Sequence, residues 1–198
     1  MGPEIKNFFA LEGLDGVGKS TVIKELQMGG IVVFKTPPEE IASVRKVFDT
    51  QSTRVRFLYY LLGVVVVGDK AQGVAAHEKV FCDRYLLTTV AAHEAMGLDK
   101  PFLALMTPVI FKIPRPEQTI LLTATEETRM ERLLSRPGKA NETDIANLRI
   151  NSQLLVGYET WARRLGHSLV EVDTTHICPE EVAGIVMNIA RKGNSGVN

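Results

Sequence analysis

Near the start of the chain runs Gly13-Leu14-Asp15-Gly16-Val17-Gly18-Lys19-Ser20, with Thr21 after it. The spacing is Gly-x-x-x-x-Gly-Lys-Ser. Glycine has no Cβ, so at 13, 16 and 18 the backbone can curl round an anion with its N–H groups turned inward. A helix starting near Lys19 would add its positive N-terminal end to the same place. Lys19 could then bridge the β- and γ-phosphates of a nucleoside triphosphate, and the Ser20 hydroxyl could hold a metal. Residues 13–21 therefore predict a phosphate loop that binds ATP with Mg²⁺.

Three further places carry chemistry. Asp83 closes an apolar run, where a carboxylate can reach Mg²⁺ directly or through water. Arg84 beside it can hold an acceptor's phosphate through paired hydrogen bonds. Arg129, Arg132 and Arg136 repeat at helical spacing and run into a polar stretch containing Pro and Gly. Position 17 is Val, so the loop brings no arginine of its own, and Arg132 or Arg136 on a mobile lid at about 136–144 could supply charge to the moving phosphoryl group. Arg129 reads as the structural member of the three. Asp15 places a carboxylate near the reacting centre, or else serves the turn itself.

The elements that must position these groups alternate. Apolar strands are predicted at Ile5–Glu12, Ile31–Lys35, Lys79–Cys82, Thr119–Thr123 and Ser168–Val172. Helices are predicted at Ser20–Met28, Glu39–Asp49, Thr53–Gly68, Leu86–Met96, Phe102–Val109, Glu126–Ser135, Asp144–Leu165 and Pro179–Arg191. The segment from Thr53 contains four successive valines that favour a strand, but its length favours a buried helix. Pro114 and Pro116 read as closing the region before the fourth strand. Strands separated by helices imply a parallel sheet covered on both faces. In such sheets ligands sit at the strands' C-terminal ends.

Composition excludes other classes. The 198 residues are 45% hydrophobic and 23% charged, and Lys plus Arg equals Asp plus Glu at 23 each. With no basic excess, neither nucleic acid nor an anionic membrane is an expected partner. The apolar run from Phe57 to Val67 is too short to span a bilayer. Cys82 and Cys178 lack metal-ligand spacing, and the N-terminus shows no signal-peptide pattern, which together predict a reducing, cytoplasmic location.

The phosphate loop with its preceding Phe8-Phe9-Ala10-Leu11-Glu12, then Asp83-Arg84-Tyr85, the arginine-rich lid, and Val172-Asp173-Thr174-Thr175 with Pro179-Glu180-Glu181-Val182 resemble thymidylate kinase. The resemblance spans, with gaps, almost the whole chain. It implies one P-loop NTPase domain over residues 1–198: a three-layer α/β sandwich with a five-stranded parallel sheet, helices on both faces and a small lid. It implies transfer of the γ-phosphoryl group of Mg·ATP to thymidine 5′-monophosphate, giving the diphosphate, and a homodimer. Carried over by position, Asp15 would touch the acceptor sugar, Arg84 its phosphate, and the Asp173–Thr175 turn would lie near adenine. The aromatic that stacks on the acceptor base falls at Phe57 or Tyr59, and Thr89, Ala92 and His93 fall among the acceptor's contacts.

The departures cluster on the acceptor side. Thr36-Pro37-Pro38-Glu39 stands where the family has Thr-Arg-Glu-Pro, so an arginine is missing there, and Arg45 is the candidate to replace it. The Asp-Arg that follows the stacking aromatic is replaced within Leu61-Leu62-Gly63-Val64, and Ala91-Ala92-His93 replaces Ala-Tyr-Gln. His93 reads as a base contact, an acid–base group or a structural histidine. Two alternatives remain open on the residues alone. One is a kinase of a free deoxynucleoside or other small metabolite, with Glu12, Asp15 or Asp83 as its base. The other is an ATP-binding sensor without kinase activity.

Overall fold

The computed structural model describes residues 2–135 and 150–192. Five strands, β1 (Glu4–Gly13), β2 (Val32–Lys35), β3 (Val80–Asp83), β4 (Arg115–Thr123) and β5 (Leu169–Asp173), form one sheet in the order β2-β3-β1-β4-β5. Every pairing is parallel. Residues Phe8 to Gly13 of β1 are buried without interruption, so the central strand is covered on both faces, as a parallel sheet requires.

Nine described helices surround the sheet: α1 (Lys19–Met28), α2 (Glu39–Ala42), α3 (Arg45–Asp49), α4 (Thr53–Ala75), α5 (Leu86–Ala95), α6 (Lys100–Ile110), α7 (Glu126–Leu134), α8 (Asn151–Leu165) and α9 (Pro179–Lys192). α1 packs with α9, while α4, α5 and α8 pack side by side. Register aligns Leu11 and Lys35 with Asp83, Gly13 with Leu122, and Thr123 with Asp173. The C-terminal ends of the strands therefore share one edge, where the chemistry-bearing residues gather.

Three elements differ from the sequence reading. The helix expected over Glu39–Asp49 is two short pieces, α2 and α3, interrupted at Ser43 and Val44. β4 begins at Arg115, so Pro116 lies inside a strand. It sits opposite Ile5, next to a register shift at which Asn7 adopts a φ of 62° and donates its N–H to Glu117 Oε2 at 2.7 Å. A strand start beside a bulge tolerates the missing N–H. α4 is a helix, as expected, but it runs seven residues further, to Ala75, and is not buried all round. Phe57, Leu61, Val64, Gly68, Ala71 and Ala75 face the core, while Leu58, Leu62 and Val65 are 42%, 53% and 44% exposed. By length and composition alone α4 could cross a membrane. Its buried side packs on β1, β2 and β3 as a core helix does. Of the helix expected from Asp144, residues 144–149 fall outside the described residues, as do the lid and Arg136.

α5 and α8 approach most closely at Gly157, where an added Cβ would lie 2.7 Å from Ala91 Cβ. Gly157→Val is expected to lower stability by about 1–3 kcal/mol, read as a lower urea midpoint. An unchanged midpoint would show that the two helices separate freely.

Candidate active site

β1 ends in the loop 13–18, and α1 starts directly after it. Gly13, Gly16 and Gly18 have φ of 140°, 87° and 92°. A Cβ at Gly13 would stand 2.4 Å from Leu122 O and one at Gly16 would stand 2.7 Å from Arg129 O, so both dihedrals and space demand glycine. The loop is braced from outside: Arg129 Nε donates to Asp15 O at 2.8 Å and Thr174 Oγ1 to Val17 O at 2.9 Å. Arg129 is buried and braces the loop. Left-handed glycines ahead of a helix N-terminus make a concave anion site.

Lys19 folds back into this loop. Its Nζ donates to Gly13 O at 2.8 Å and to Leu14 O at 2.7 Å, with only 7% of the residue exposed. Burial, helped by the nearby Arg84 cation, pulls the ammonium down to about 7, against the opposing pull of Asp15, Asp83 and Glu12.

The second wall is the β3–α5 corner. Arg84 has a φ of 62°, donates from Nη1 to Gly13 O at 3.0 Å and pairs through Nη2 with Asp15 Oδ1 at 2.6 Å. Glu12 is fully buried beneath it and accepts from Tyr85 N at 3.0 Å, from Thr88 N at 3.3 Å and from the Thr88 hydroxyl. Burial pushes its carboxyl up. Glu12 thus anchors the start of α5, which removes it as a reacting base. Asp83 Oδ1 is buried without a hydrogen-bond partner among the described residues. It shares a cavity of about 210 Å³ with Lys19, Ser20, Arg45 and Arg84. An unpartnered carboxylate oxygen beside a serine hydroxyl fits Mg²⁺, which takes one or two protein oxygens and completes its shell from phosphates and water. Among the described residues no cluster of three or more His, Cys, Asp or Glu could hold a metal unaided.

A contiguous cleft of about 180 Å³ opens on the other side of Arg84 and is also lined by Asp15, Arg45, Arg56, Tyr60 and His93. Thr89 and Ala92, both expected here, line it as well. Its aromatic is neither of the two anticipated. Phe57 is fully buried, edge-on to His93 and Phe102 in the core. Tyr59 stacks on Phe48 at 4.6 Å and donates its hydroxyl to Ile41 O, tying α4 to α2 and α3. Tyr60, one position on, faces the cleft. Arg45 and Arg56 lie over its ring at 5.9 and 5.7 Å, and both pair with Asp49 at 3.2 Å. Arg45 lines this cleft, joined by Arg56. The i, i+4 spacing of Arg56 and Tyr60 was the available signal for both.

On the far side of the loop a cavity of about 350 Å³ is lined by Gly18, Thr21, Arg132, Thr174, Ile177 and Pro179. Of the 173–175 turn it is Thr174 that lines this cavity. Asp173 and Thr175 do not; they bond each other, Thr175 N to Asp173 Oδ1 at 2.8 Å. Arg132 bonds the remaining residue of the same turn. Its Nη1 donates to Thr174 Oγ1 at 3.0 Å and its Nη2 to Thr174 O at 2.7 Å. The last turn of α7 abuts the carbonyls of the turn after β5, and these hold the guanidinium beside Gly18.

The family model for thymidylate kinase matches residues 11–183. The chain belongs to the thymidylate kinase family. A human relative named UMP-CMP kinase 2, mitochondrial, is 32% identical over 151 residues, which is 72% of this chain. The chain spans 33% of that relative's length. Among solved structures, a thymidylate kinase from Ehrlichia chaffeensis superposes with a TM-score of 0.65 over 96% of this chain and 100% of that one, at 17% identity. One from Candida albicans gives 0.73 over 96% and 92%, also at 17% identity. These likenesses bear out the P-loop α/β fold read from the sequence.

The buried lysine gives a measurable linkage. A lysine held at about 7 when folded, below its ordinary 10.5, penalises folding fully below the lower value. The penalty fades as pH rises towards the upper value. Anions in the loop restore the charge, so ATP binding at pH 8 is expected to take up as much as about one proton. Calorimetry in buffers of different ionisation heat reads this directly. Wild type should depend on the buffer and Lys19→Met should not. A buffer-independent wild type would contradict the assignment.

Proposed function

We propose that this chain transfers the γ-phosphoryl group of Mg·ATP to a nucleoside monophosphate, with thymidylate as the acceptor and its diphosphate as the product. The observation that carries this is the convergence of Arg45, Arg56 and Arg84 on one cleft beside the phosphate loop. Three guanidiniums suit an acceptor that already bears a phosphate dianion and have no purpose for a neutral nucleoside. The loop 13–21 and Lys19 would hold the donor's polyphosphate, and the cavity at Arg132 and Thr174 its base. Asp15 would contact the acceptor sugar. Ser20 and Asp83 would hold Mg²⁺, which neutralises charge on the phosphates when bound. The acceptor oxygen is ionised at neutral pH, so no general base is required and catalysis is positioning plus charge stabilisation.

The relative's name supports a second reading, in which the acceptor is the uracil or cytosine monophosphate. The departures at Ala92 and His93 lie where base and sugar would sit and favour keeping it. We further propose a homodimer, formed through the exposed apolar stripe Val55, Leu58, Leu62 and Val65 of α4.

A coupled assay with Mg·ATP against thymidine, uridine and cytidine, free and as 5′-monophosphates, separates the readings. Monophosphates should be phosphorylated and free nucleosides should not. Turnover of free nucleosides alone would overturn the proposal, and turnover of none would favour a sensor. Lys19→Ala should cost roughly 10²- to 10³-fold in kcat with the fold retained. For the dimer, light scattering should give twice the chain mass, and Leu62→Glu should halve it; a monomeric wild type would refute the interface.

A further inference from the structure

Among the described residues three side chains donate to Gly13 O, the carbonyl at the end of β1. Lys19 Nζ lies at 2.8 Å, Arg84 Nη1 at 3.0 Å and the Tyr158 hydroxyl at 3.4 Å. A carbonyl oxygen has two lone pairs, so the three share two places and the tyrosine is the outlying one.

Tyr158 is fully buried on α8, and that helix is fixed to α5 on both sides of it. Gly157 has no room for a Cβ beside Ala91, and Trp161 Nε1 donates to Glu94 Oε2 at 2.7 Å. Burial pushes the phenol up to about 12, so it is a neutral donor with a single hydrogen. That hydrogen has two acceptors within reach. Thr88 Oγ1 is the nearer at 2.9 Å, and it can accept because Thr88 gives its own hydrogen to the Glu12 carboxylate. Gly13 O is the other. While Lys19 occupies Gly13 O, the shorter bond to Thr88 is the one the tyrosine makes.

We propose that Tyr158 is a positioning residue of the phosphate loop, whose hydroxyl takes over Gly13 O when a polyphosphate draws Lys19 away. Anionic oxygens hold an ammonium more strongly than a carbonyl does. Gly13 O would then lose a donor in buried surroundings, which is costly. A turn of the phenol O–H about its C–O bond, with a small approach of the ring, replaces that donor. Thr88 Oγ1 is not orphaned by the change, since Arg84 Nη1 lies 3.5 Å from it. The hydroxyl therefore eases the release of Lys19 and ties α8 to the occupancy of the loop. This rests on the reading that residues 13–18 take a polyphosphate, and on nothing about the acceptor.

The test is the affinity for Mg·ATP, by titration calorimetry, of wild type, Tyr158→Phe, Lys19→Met and the double variant, with folding checked by thermal melting. Tyr158→Phe should weaken binding on the order of 3- to 10-fold. With Lys19→Met already present no lysine leaves Gly13 O, so the same substitution should change affinity by less than about twofold. A tyrosine that only packs would lower the melting temperature and leave the affinity ratio equal in both backgrounds. In parallel the ¹³C carbonyl resonance of Gly13 is followed as Mg·ATP is added. It should move further upfield in Tyr158→Phe than in wild type, because only the variant leaves the oxygen short of a donor. Equal affinity of wild type and Tyr158→Phe, an equal loss in both backgrounds, or equal carbonyl displacements would overturn the proposal. Should Lys19→Met bind too weakly to measure, the carbonyl displacements decide. Should Tyr158→Phe not fold, the ¹³Cζ resonance of Tyr158 in wild type decides: it should move with Mg·ATP, and an unmoved resonance overturns the proposal. A wild type that does not bind Mg·ATP overturns the loop reading and this proposal together. One that binds it but phosphorylates no monophosphate sinks the kinase reading alone, and the affinity ratios still decide for or against Tyr158.

Discussion

One guanidinium fastens the two central strands at the edge where the site lies. Arg84, at the end of β3, reaches across to Gly13 O and Asp15 Oδ1 beyond the end of β1. Its backbone is left-handed, a conformation that costs of order 1–3 kcal/mol away from glycine and persists only where its surroundings enforce it. Glu12 beneath it enforces this corner by taking Tyr85 N and Thr88 N. Burial opposes the charge on Arg84, and Tyr158, Asp15, Asp83 and Glu12 outweigh it, so the guanidinium holds its proton more firmly than usual. The result is a fixed cation at the boundary between two clefts.

Around that boundary the charges are arranged by sign and depth. Buried Lys19 and half-buried Arg84 lie close enough to oppose each other, and Asp15 and Asp83 counter that repulsion at Lys19. A polyphosphate entering the loop meets a lysine tied only to two carbonyls, which an anionic oxygen outcompetes. The cleft at Tyr60 repeats the device. Asp49 engages Arg45 and Arg56, and accepts from the Tyr60 hydroxyl at 2.9 Å, so these cations are preplaced before any ligand arrives. Arg45 of α3 and Arg56 of α4 both line that cleft.

What was legible in the sequence was local. The phosphate loop is a contiguous pattern in which each glycine answers a dihedral or a close contact, and Asp83-Arg84-Tyr85 is a tripeptide at a strand end. Alternating strands and helices gave the sheet. Which aromatic lines the cleft was not legible, because Phe57, Tyr59 and Tyr60 sit within one apolar run whose composition carries no phase. Phe57, Leu61 and Val64 are buried along α4, and Tyr60 beside them is the aromatic that lines the cleft. The partners of Arg132 were not legible for a related reason: Thr174 is 42 residues away in the chain. No spacing rule foretells that apposition.

In the proposed reaction Arg84 separates a donor's polyphosphate from an acceptor's phosphate. The most direct measurement is a crystal structure with thymidylate and a non-hydrolysable Mg·ATP analogue bound together. It should show the β-phosphate cradled by residues 13–18, the thymidylate phosphate hydrogen-bonded to Arg84, and the γ-phosphate between them. Thymidylate bound away from Arg84, or a loop whose amides are filled by protein groups with nucleotide present, would contradict it.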